Sequence, residues 1–269
     1  MIRAVIALVA LLTASWQGAS AYAQGPAPAS KAVSAKTWIG HETQIEEILK
    51  TAEIVRLQEV GIGVTRPRRG FLEGSDLVTS LTWKMLPPGR RGGFWESYKS
   101  EIAAYQLDRL LALNMVPPAV EREVNGERGA AVMWVEPTTS VKEMGGTLNS
   151  GHVAGHWIRK MEMFDNLIGN PDRNAGNILV DGVGNVILID HSRAFIDKKD
   201  LPVKFERVDA DLLAAIEALD AGTLRREIGA LVGERAIDAM IERRTRMRAA
   251  VDKLVAKKGR DQVIIPAGR

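Results

Sequence analysis

The chain has 269 residues, 46% hydrophobic and 26% charged, with a net charge of +3. That balance belongs to a globular protein with a substantial core, in one large domain or two lobes. So small a charge carries no signal of a nucleic-acid partner, and the absence of cysteine excludes disulfide staples and thiolate zinc sites.

The N-terminus reads as a leader. Arg3 precedes an apolar run from Ala4 to Leu12, and Ala21-Tyr22-Ala23 forms a small-x-small cleavage pattern. Cleavage after Ala23 (signal peptide 1–23) is expected to deliver the chain to the periplasm or outside the cell, with an uncleaved N-terminal anchor as the alternative. The apolar run is too short to span a bilayer comfortably, so no stable transmembrane segment is expected in the mature chain. Residues 24–40 begin Pro/Ala/Ser-rich and read as a linker.

From His41 to Ala52, Ile45, Ile48, Leu49 and Ala52 recur at helical spacing. Three strands are expected next, in EIVRLQEVGIGVTRP, GFLEGSDLVTS and LTWKML, separated by Gly, Pro and charged turns. Phe94 to Leu113 predicts an amphipathic helix, stopped by Asn114 and by Pro117-Pro118. Ala119–Glu123 and Gly129–Val135 predict a hairpin about Asn125-Gly126. After Pro137 the pattern turns helical: 152–168, 209–219 and 224–256, with two short strands at 177–180 and 185–189 around Asp181-Gly182. The class is α+β, a β-rich first half with one strong helix and a mainly helical second half. The expected boundary falls at 136/137, giving regions 41–136 and 137–269.

The polar loop GNPDRNAGN carries the chemistry. Asp172 follows an apolar helix and a Gly-Asn turn, Asn177 stands where the loop re-enters a strand, and Asp190 ends the second strand of the next hairpin. Two carboxylates and an amide around one cleft are hard oxygen donors, suited to Mg²⁺ carrying phosphate. Each residue alone reads as a surface loop or a helix cap; the three together favour a site. His41, His152, His156 and His191 are scattered; His152 and His156 share a helix face but lack an HExxH context, and read as structural or solvated.

In Gly169-Asn170-Pro171-Asp172-Arg173…Asn177 and Ile189-Asp190-His191-Ser192-Arg193-Ala194-Phe195 the chain resembles the atypical branch of the kinase superfamily. The pattern is that of phosphatidylinositol 3-/4-kinase catalytic domains and their relatives, HipA-type and secreted kinases. The resemblance implies a two-lobed kinase-like fold and ATP and Mg²⁺ as cofactors. It implies Asp172 as catalytic aspartate and Asn177 and Asp190 as metal ligands. A kinase also needs a strand lysine paired to a helix glutamate to hold phosphates; Lys84 in LTWKML fits, with Glu101 as partner and Glu96 as the alternative. Gly61 and Gly63 stand where a phosphate loop is expected but do not follow G-x-G-x-x-G, and Arg66, Arg68 or Arg69 is the charge nearby. Val135, ending the fifth strand, lies at the hinge expected to meet adenine. His191-Ser192-Arg193 departs from Asp-Phe-Gly, and no Ala-Pro-Glu element is present, so the peptide-docking region is expected to be small or absent and the acceptor is left open among protein, lipid and small molecule.

The expected activity is Mg²⁺-dependent phosphotransfer from ATP. The alternatives are a nucleotide-binding pseudokinase acting as a scaffold, or nucleotidyl transfer to protein. The basic stretch from Arg243 to Arg260 is expected as a solvated helix face with ion pairs such as Glu242–Arg246.

Overall fold

A computed structural model of the chain describes residues 33–61, 67–147, 151 and 153–266. The expected leader, most of the linker, Gly63, Arg66 and His152 lie outside the described residues. Among the described residues no helix is long and apolar enough to cross a membrane.

The first half runs α1 (Glu42–Thr51), β1 (Ile54–Glu59), β2 (Arg68–Leu72), β3 (Ser80–Lys84), β4 (Gly89–Arg91), β5 (Phe94–Glu96), α2 (Tyr98–Leu110), β6 (Ala119–Val124) and β7 (Glu127–Met133). Five strands form an antiparallel sheet in the order β1-β2-β3-β7-β6. The β6–β7 turn is Asn125-Gly126, with φ of 53° and 79°, the two left-handed residues that match a hairpin's twist. Side-chain alternation splits the sheet's faces. Leu81, Trp83, Ala131 and Met133 pack with Ile45 and Leu49 of α1. Lys84 and Ala130 take the opposite face, toward α2. Gly129 lets β7 run beside the end of β3, because a Cβ there would lie 2.4 Å from the Lys84 carbonyl oxygen.

Two expectations change here. Phe94 to Glu96 do not join the helix; they pair with β4 as a separate hairpin. Within the stretch taken as linker, Ala35, Lys36 and Trp38 are buried, Ala35 and Trp38 each at 1% exposed, and the Ala35 N–H donates to Asp181 Oδ2 at 2.9 Å. The Trp38 indole has too much apolar surface to leave in water.

The second half runs β8 (Thr138–Ser140), α3 (Gly155–Ile168), a 3₁₀ turn (Ala175–Asn177), β9 (Ile178–Asp181), β10 (Val186–Leu188), β11 (Val208–Asp209), α4 (Ala210–Ala218), α5 (Ala221–Val232), α6 (Glu234–Lys258), α7 (Arg260–Val263) and β12 (Ile264–Ile265). β10-β9-β8 form a small antiparallel sheet, and β11 and β12 pair in parallel. The expected continuous helix over 224–256 is two helices, because Gly233 at φ 79° ends α5 and starts α6. The helices share one core with α2, including Leu107, Phe164, Leu224, Ile228 and Met247. The fold is thus α+β, with seven helices and a five-stranded sheet among the described residues.

Candidate active site

Lys84 ends β3 on the α2 face and is 7% exposed. Ser97 caps α2, accepting from the Lys99 N–H at 3.0 Å, and its own N–H donates to the Ser192 carbonyl at 2.9 Å. That cap sets the first turn of α2 so that Glu101, favoured there by the helix dipole, faces Lys84. Lys84 Nζ donates to Glu101 Oε1 at 2.5 Å and to Asp190 Oδ1 at 2.7 Å. Of the two glutamates considered, Glu101 is the partner; Glu96 lies at the end of β5 and pairs with Arg193.

The electrostatics follow from the geometry. Burial by itself pushes the Lys84 ammonium down, but the Asp190 and Glu101 carboxylates outweigh it and hold it above its ordinary value. Lys84 beside it holds the Asp190 carboxyl well below the usual carboxylate range. Burial raises Glu101, and Lys84 together with the His191 imidazole more than reverse that. All three groups are therefore charged together. Asp190 adopts φ 58°, a left-handed conformation that Asp tolerates better than most residues, and its Oδ1 also accepts from Ser192 Oγ at 3.0 Å.

The loop after α3 is built from its backbone. Gly169 ends the helix at φ 64°, and Arg243 of α6 packs against it so tightly that a Cβ there would lie 2.7 Å from Arg243 Cζ. Arg243 is fully buried, donates to the Leu167 and Ile196 carbonyls at 3.0 Å, and is lowered to about 10 by burial. It is not the solvated helix-face residue expected from its neighbours, whereas Arg246 does pair with Glu242 at 3.1 Å.

Asp165 and Arg173 hold the loop closed. Arg173 Nε and Nη2 donate to Asp165 Oδ2 and Oδ1 at 2.9 and 3.0 Å, with side chains only 3% and 1% exposed. Arg173 Nη1 donates to the Asn177 and Ile189 carbonyls at 3.0 and 2.8 Å. One guanidinium thus ties the Asp172 loop to the strand entering Asp190. Its Nη2 also lies 2.9 Å from His191 Nε2. Arginine only donates, so Nε2 accepts and the imidazole proton sits on Nδ1, on the side of Glu101 Oε2 at 3.7 Å.

Asp172 is the exposed member, its side chain 41% accessible. Its N–H donates to Asn170 Oδ1 at 3.1 Å, and its Oδ2 accepts from Arg193 Nη1 at 3.1 Å. Asn177 Nδ2 reaches the Asp172 carbonyl at 3.4 Å, and its Oδ1 accepts no hydrogen bond from the described residues. Val135 follows β7, is buried, and its carbonyl accepts from Thr138 Oγ1 at 3.1 Å. Gly61 is exposed in the β1–β2 turn. Arg68 and Arg69 are committed elsewhere: Arg68 lies over Trp83 and near Glu127, and Arg69 grips Glu136 and Ser80 and stacks on Trp134.

The structure joins Lys84, Glu101 and Asp190 directly. It links Asn177 to that group through Arg173, whereas Asp172 is tied through Arg193 to Glu96. Asp165, Arg173, His191, Arg193 and Glu96 hold the site; the Asp-Arg pair and the His-Ser-Arg departure marked three of them in the sequence, Glu96 was marked only as an alternative partner of Lys84, and Asp165 carried no signal. Among the described residues no three His, Cys, Asp or Glu side chains converge as a metal site. Asp190 and Asn177 remain as hard oxygen donors, of the kind that could hold a small divalent cation.

Comparison with known proteins gives a consistent picture. The family model for phosphatidylinositol 3- and 4-kinase matches residues 156–247, from α3 through Asp172, Asn177 and Asp190 into α6. No curated protein matches the chain. Among solved structures, hydra Fam20 with sugar superposes with a TM-score of 0.67 at 16% identity, over 86% of this chain and 93% of that one. The Golgi casein kinase with Mn/ADP bound gives 0.65 at 14%, over 84% and 79%. The Helicobacter pylori proinflammatory kinase CtkA gives 0.51 at 13%, over 78% and 98%. The chain therefore has the atypical protein kinase-like fold, with the phosphatidylinositol 3- and 4-kinase pattern in residues 156–247.

Proposed function

We propose that the chain is a Mg²⁺-dependent ATP phosphotransferase. The observation that carries this reading is the double contact of Lys84 Nζ, with Glu101 at 2.5 Å and Asp190 at 2.7 Å. A buried lysine held charged between two carboxylates is costly to desolvate, and its use is to meet phosphate. A similar structure bound to Mn/ADP supports nucleotide and divalent metal as its ligands.

Lys84, oriented by Glu101, would hold the α- and β-phosphates. Asn177 Oδ1 and Asp190 would hold Mg²⁺, which supplies charge neutralisation along the phosphates. Asp172 would take the proton of the acceptor hydroxyl as its oxygen bonds to the γ-phosphorus. The bond from phosphorus to the β–γ bridging oxygen breaks, and that electron pair leaves with ADP. Catalysis of this kind is positioning and electrostatics.

Phosphate transfer from ATP by the purified protein, with and without Mg²⁺, tests the reading. Transfer is expected to require Mg²⁺ and to vanish in Asp172→Ala and Asp190→Ala. Mg²⁺-dependent transfer that survives Asp190→Ala overturns it. Stabilisation by Mg²⁺ and ATP without turnover marks a pseudokinase, and a product heavier by a nucleotide marks nucleotidyl transfer.

Export is part of the proposal and rests on residues 1–23 alone. N-terminal sequencing of the protein from an extracytoplasmic fraction is expected to begin at Gln24. An intact Met1 in the cytoplasm overturns it.

A further inference from the structure

The side chain of Asp172 has one fixed partner. Its backbone is held by Asn170 and Asn177, but its carboxylate is tied only through Oδ2, by Arg193 Nη1 at 3.1 Å. Oδ1 accepts no hydrogen bond from the described residues. Arg193 is anchored on its other side: Nε donates to Glu96 Oε1 at 2.9 Å, and Nη2 forms an ion pair with the same oxygen at 2.8 Å. Its guanidinium also lies 4.3 Å from the centre of the Phe94 ring. Glu96 is 4% exposed and Arg193 only partly so. A planar fork held by a buried carboxylate and an aromatic face has little freedom to swing.

Arg193 also stands between two parts of the molecule. It lies three residues beyond Asp190, and Ser192 between them bonds both the Asp190 carboxylate and the Ser97 N–H of the α2 cap. On its far side is a groove of about 770 Å³ whose lining includes Arg193, Phe94, Trp95 and Pro171, the residue preceding Asp172. That volume is in the range of small-molecule sites, and the groove opens beside the Asp172 loop.

We propose that Arg193 is a positioning residue for the transfer reaction: anchored by Glu96 and Phe94, it holds Asp172 by Oδ2 and leaves Oδ1 free to meet the acceptor hydroxyl. This rests on the phosphotransferase reading above. A catalytic carboxylate must reach hydrogen-bond distance of the proton it takes, and an exposed aspartate on a loop does not keep one rotamer without such a hold. Arg193 makes no hydrogen bond to Lys84, Asn177 or Asp190, although the Asp190 charge acts on it, so its direct contacts fall on the acceptor side.

The test is steady-state ATP hydrolysis with Mg²⁺, water serving as the acceptor, on wild type, Arg193→Ala, Arg193→Lys and Glu96→Gln. Arg193→Ala is expected to lower kcat roughly 10- to 100-fold, the scale of a small misplacement of a catalytic group, with KM for ATP within about twofold. Arg193→Lys keeps a cation beside Asp172 without the fork and is expected to recover part of the loss. Glu96→Gln, which frees the anchor but leaves the arginine, is expected to fall between wild type and Arg193→Ala. An unchanged kcat in Arg193→Ala, or a KM for ATP that rises as far as kcat falls, overturns the assignment. If Arg193→Ala does not fold, the Lys variant decides: wild-type kcat overturns the proposal, and an intermediate kcat at unchanged KM supports it. A wild-type protein without turnover instead overturns the phosphotransferase reading, and this one with it.

Discussion

The two sides of the site are built on opposite principles. On the side of Lys84, three charged groups are packed together: Lys84 and Glu101 have side chains 8% and 4% exposed, and Asp190 joins them at 35%. On the side of Asp172 the carboxylate is 41% exposed and the buried charges lie beneath it, in the Arg173–Asp165 pair. The first side is closed by its functional side chains. The second is closed by residues that support the backbone, leaving its functional side chains open. A group that must be charged before substrate arrives benefits from burial among opposite charges, whereas one that must meet a variable acceptor needs access. Stability and activity should therefore be coupled on the first side and separable on the second.

The largest effect expected is at Lys84. Lys84→Met leaves Glu101 buried without its cation and removes the proposed phosphate contact, so turnover should be lost. Stability should fall by about 3–5 kcal/mol in urea denaturation, the scale of a broken buried pair. Arg173→Ala should match it in stability, because it strips Asp165 of its bidentate partner and releases the Asn177 and Ile189 carbonyls. It thus extends the coupled behaviour beneath the open side. Asp172→Asn is the reverse. Turnover should drop by roughly 10²–10⁴, with stability within about 0.5 kcal/mol of wild type; a large loss of stability there would break the contrast.

The dependence of stability on pH is expected to be smaller and to report the closed side. The folded-state values of Asp190 and Glu101 are lowered, so their contribution is present above the ordinary carboxylate values of about 4 and is lost as pH falls through the lowered ones. His191 is also lowered, by burial first and by Arg173, against the opposing pull of Glu101 and Asp165. Its unfolded form takes up a proton near pH 6.5 while the folded form resists, so stability declines as pH falls below that value. Tm measured from pH 7 to 5 should fall in wild type and fall less in His191→Gln. Equal slopes would show that His191 does not report on the buried network. The smallest effect on activity is expected at Gly169. Gly169→Ala requires a left-handed alanine pressed on Arg243 and should cost about 1–3 kcal/mol, with Tm lowered and the Mg²⁺ dependence of turnover retained.

The pairing of β6 with β7 about Asn125-Gly126 was legible from local turn chemistry, and the helix bearing Glu101 from its apolar period, because both are short-range signals. The hairpin at Gly89–Glu96 was not, since Phe94 and Trp95 extend the helical pattern of α2 and only their pairing with Arg90 and Arg91 makes them a strand. The break at Gly233 was visible as a glycine, but a glycine within a helical pattern does not by itself reveal its φ. Arg243 in a run of basic residues looks like every other exposed arginine; its burial against Gly169 depends on where α6 crosses the end of α3.

By itself the sequence determined the type of chemistry on offer. The spacing of Asp172, Asn177 and Asp190, with Lys84 and Glu101 upstream, is a one-dimensional pattern that selects hard oxygen donors and one cation. Only the tertiary structure decided how these groups are held: that Lys84 reaches both carboxylates, that Glu101 and not Glu96 is its partner, that His191 carries its proton on Nδ1, and that Arg193 spans Glu96 and Asp172. Those contacts join residues 17, 106, 97 and 21 positions apart. No local propensity encodes such pairs, because they form only when the packing of α2, the strands and the two loops brings their backbones together.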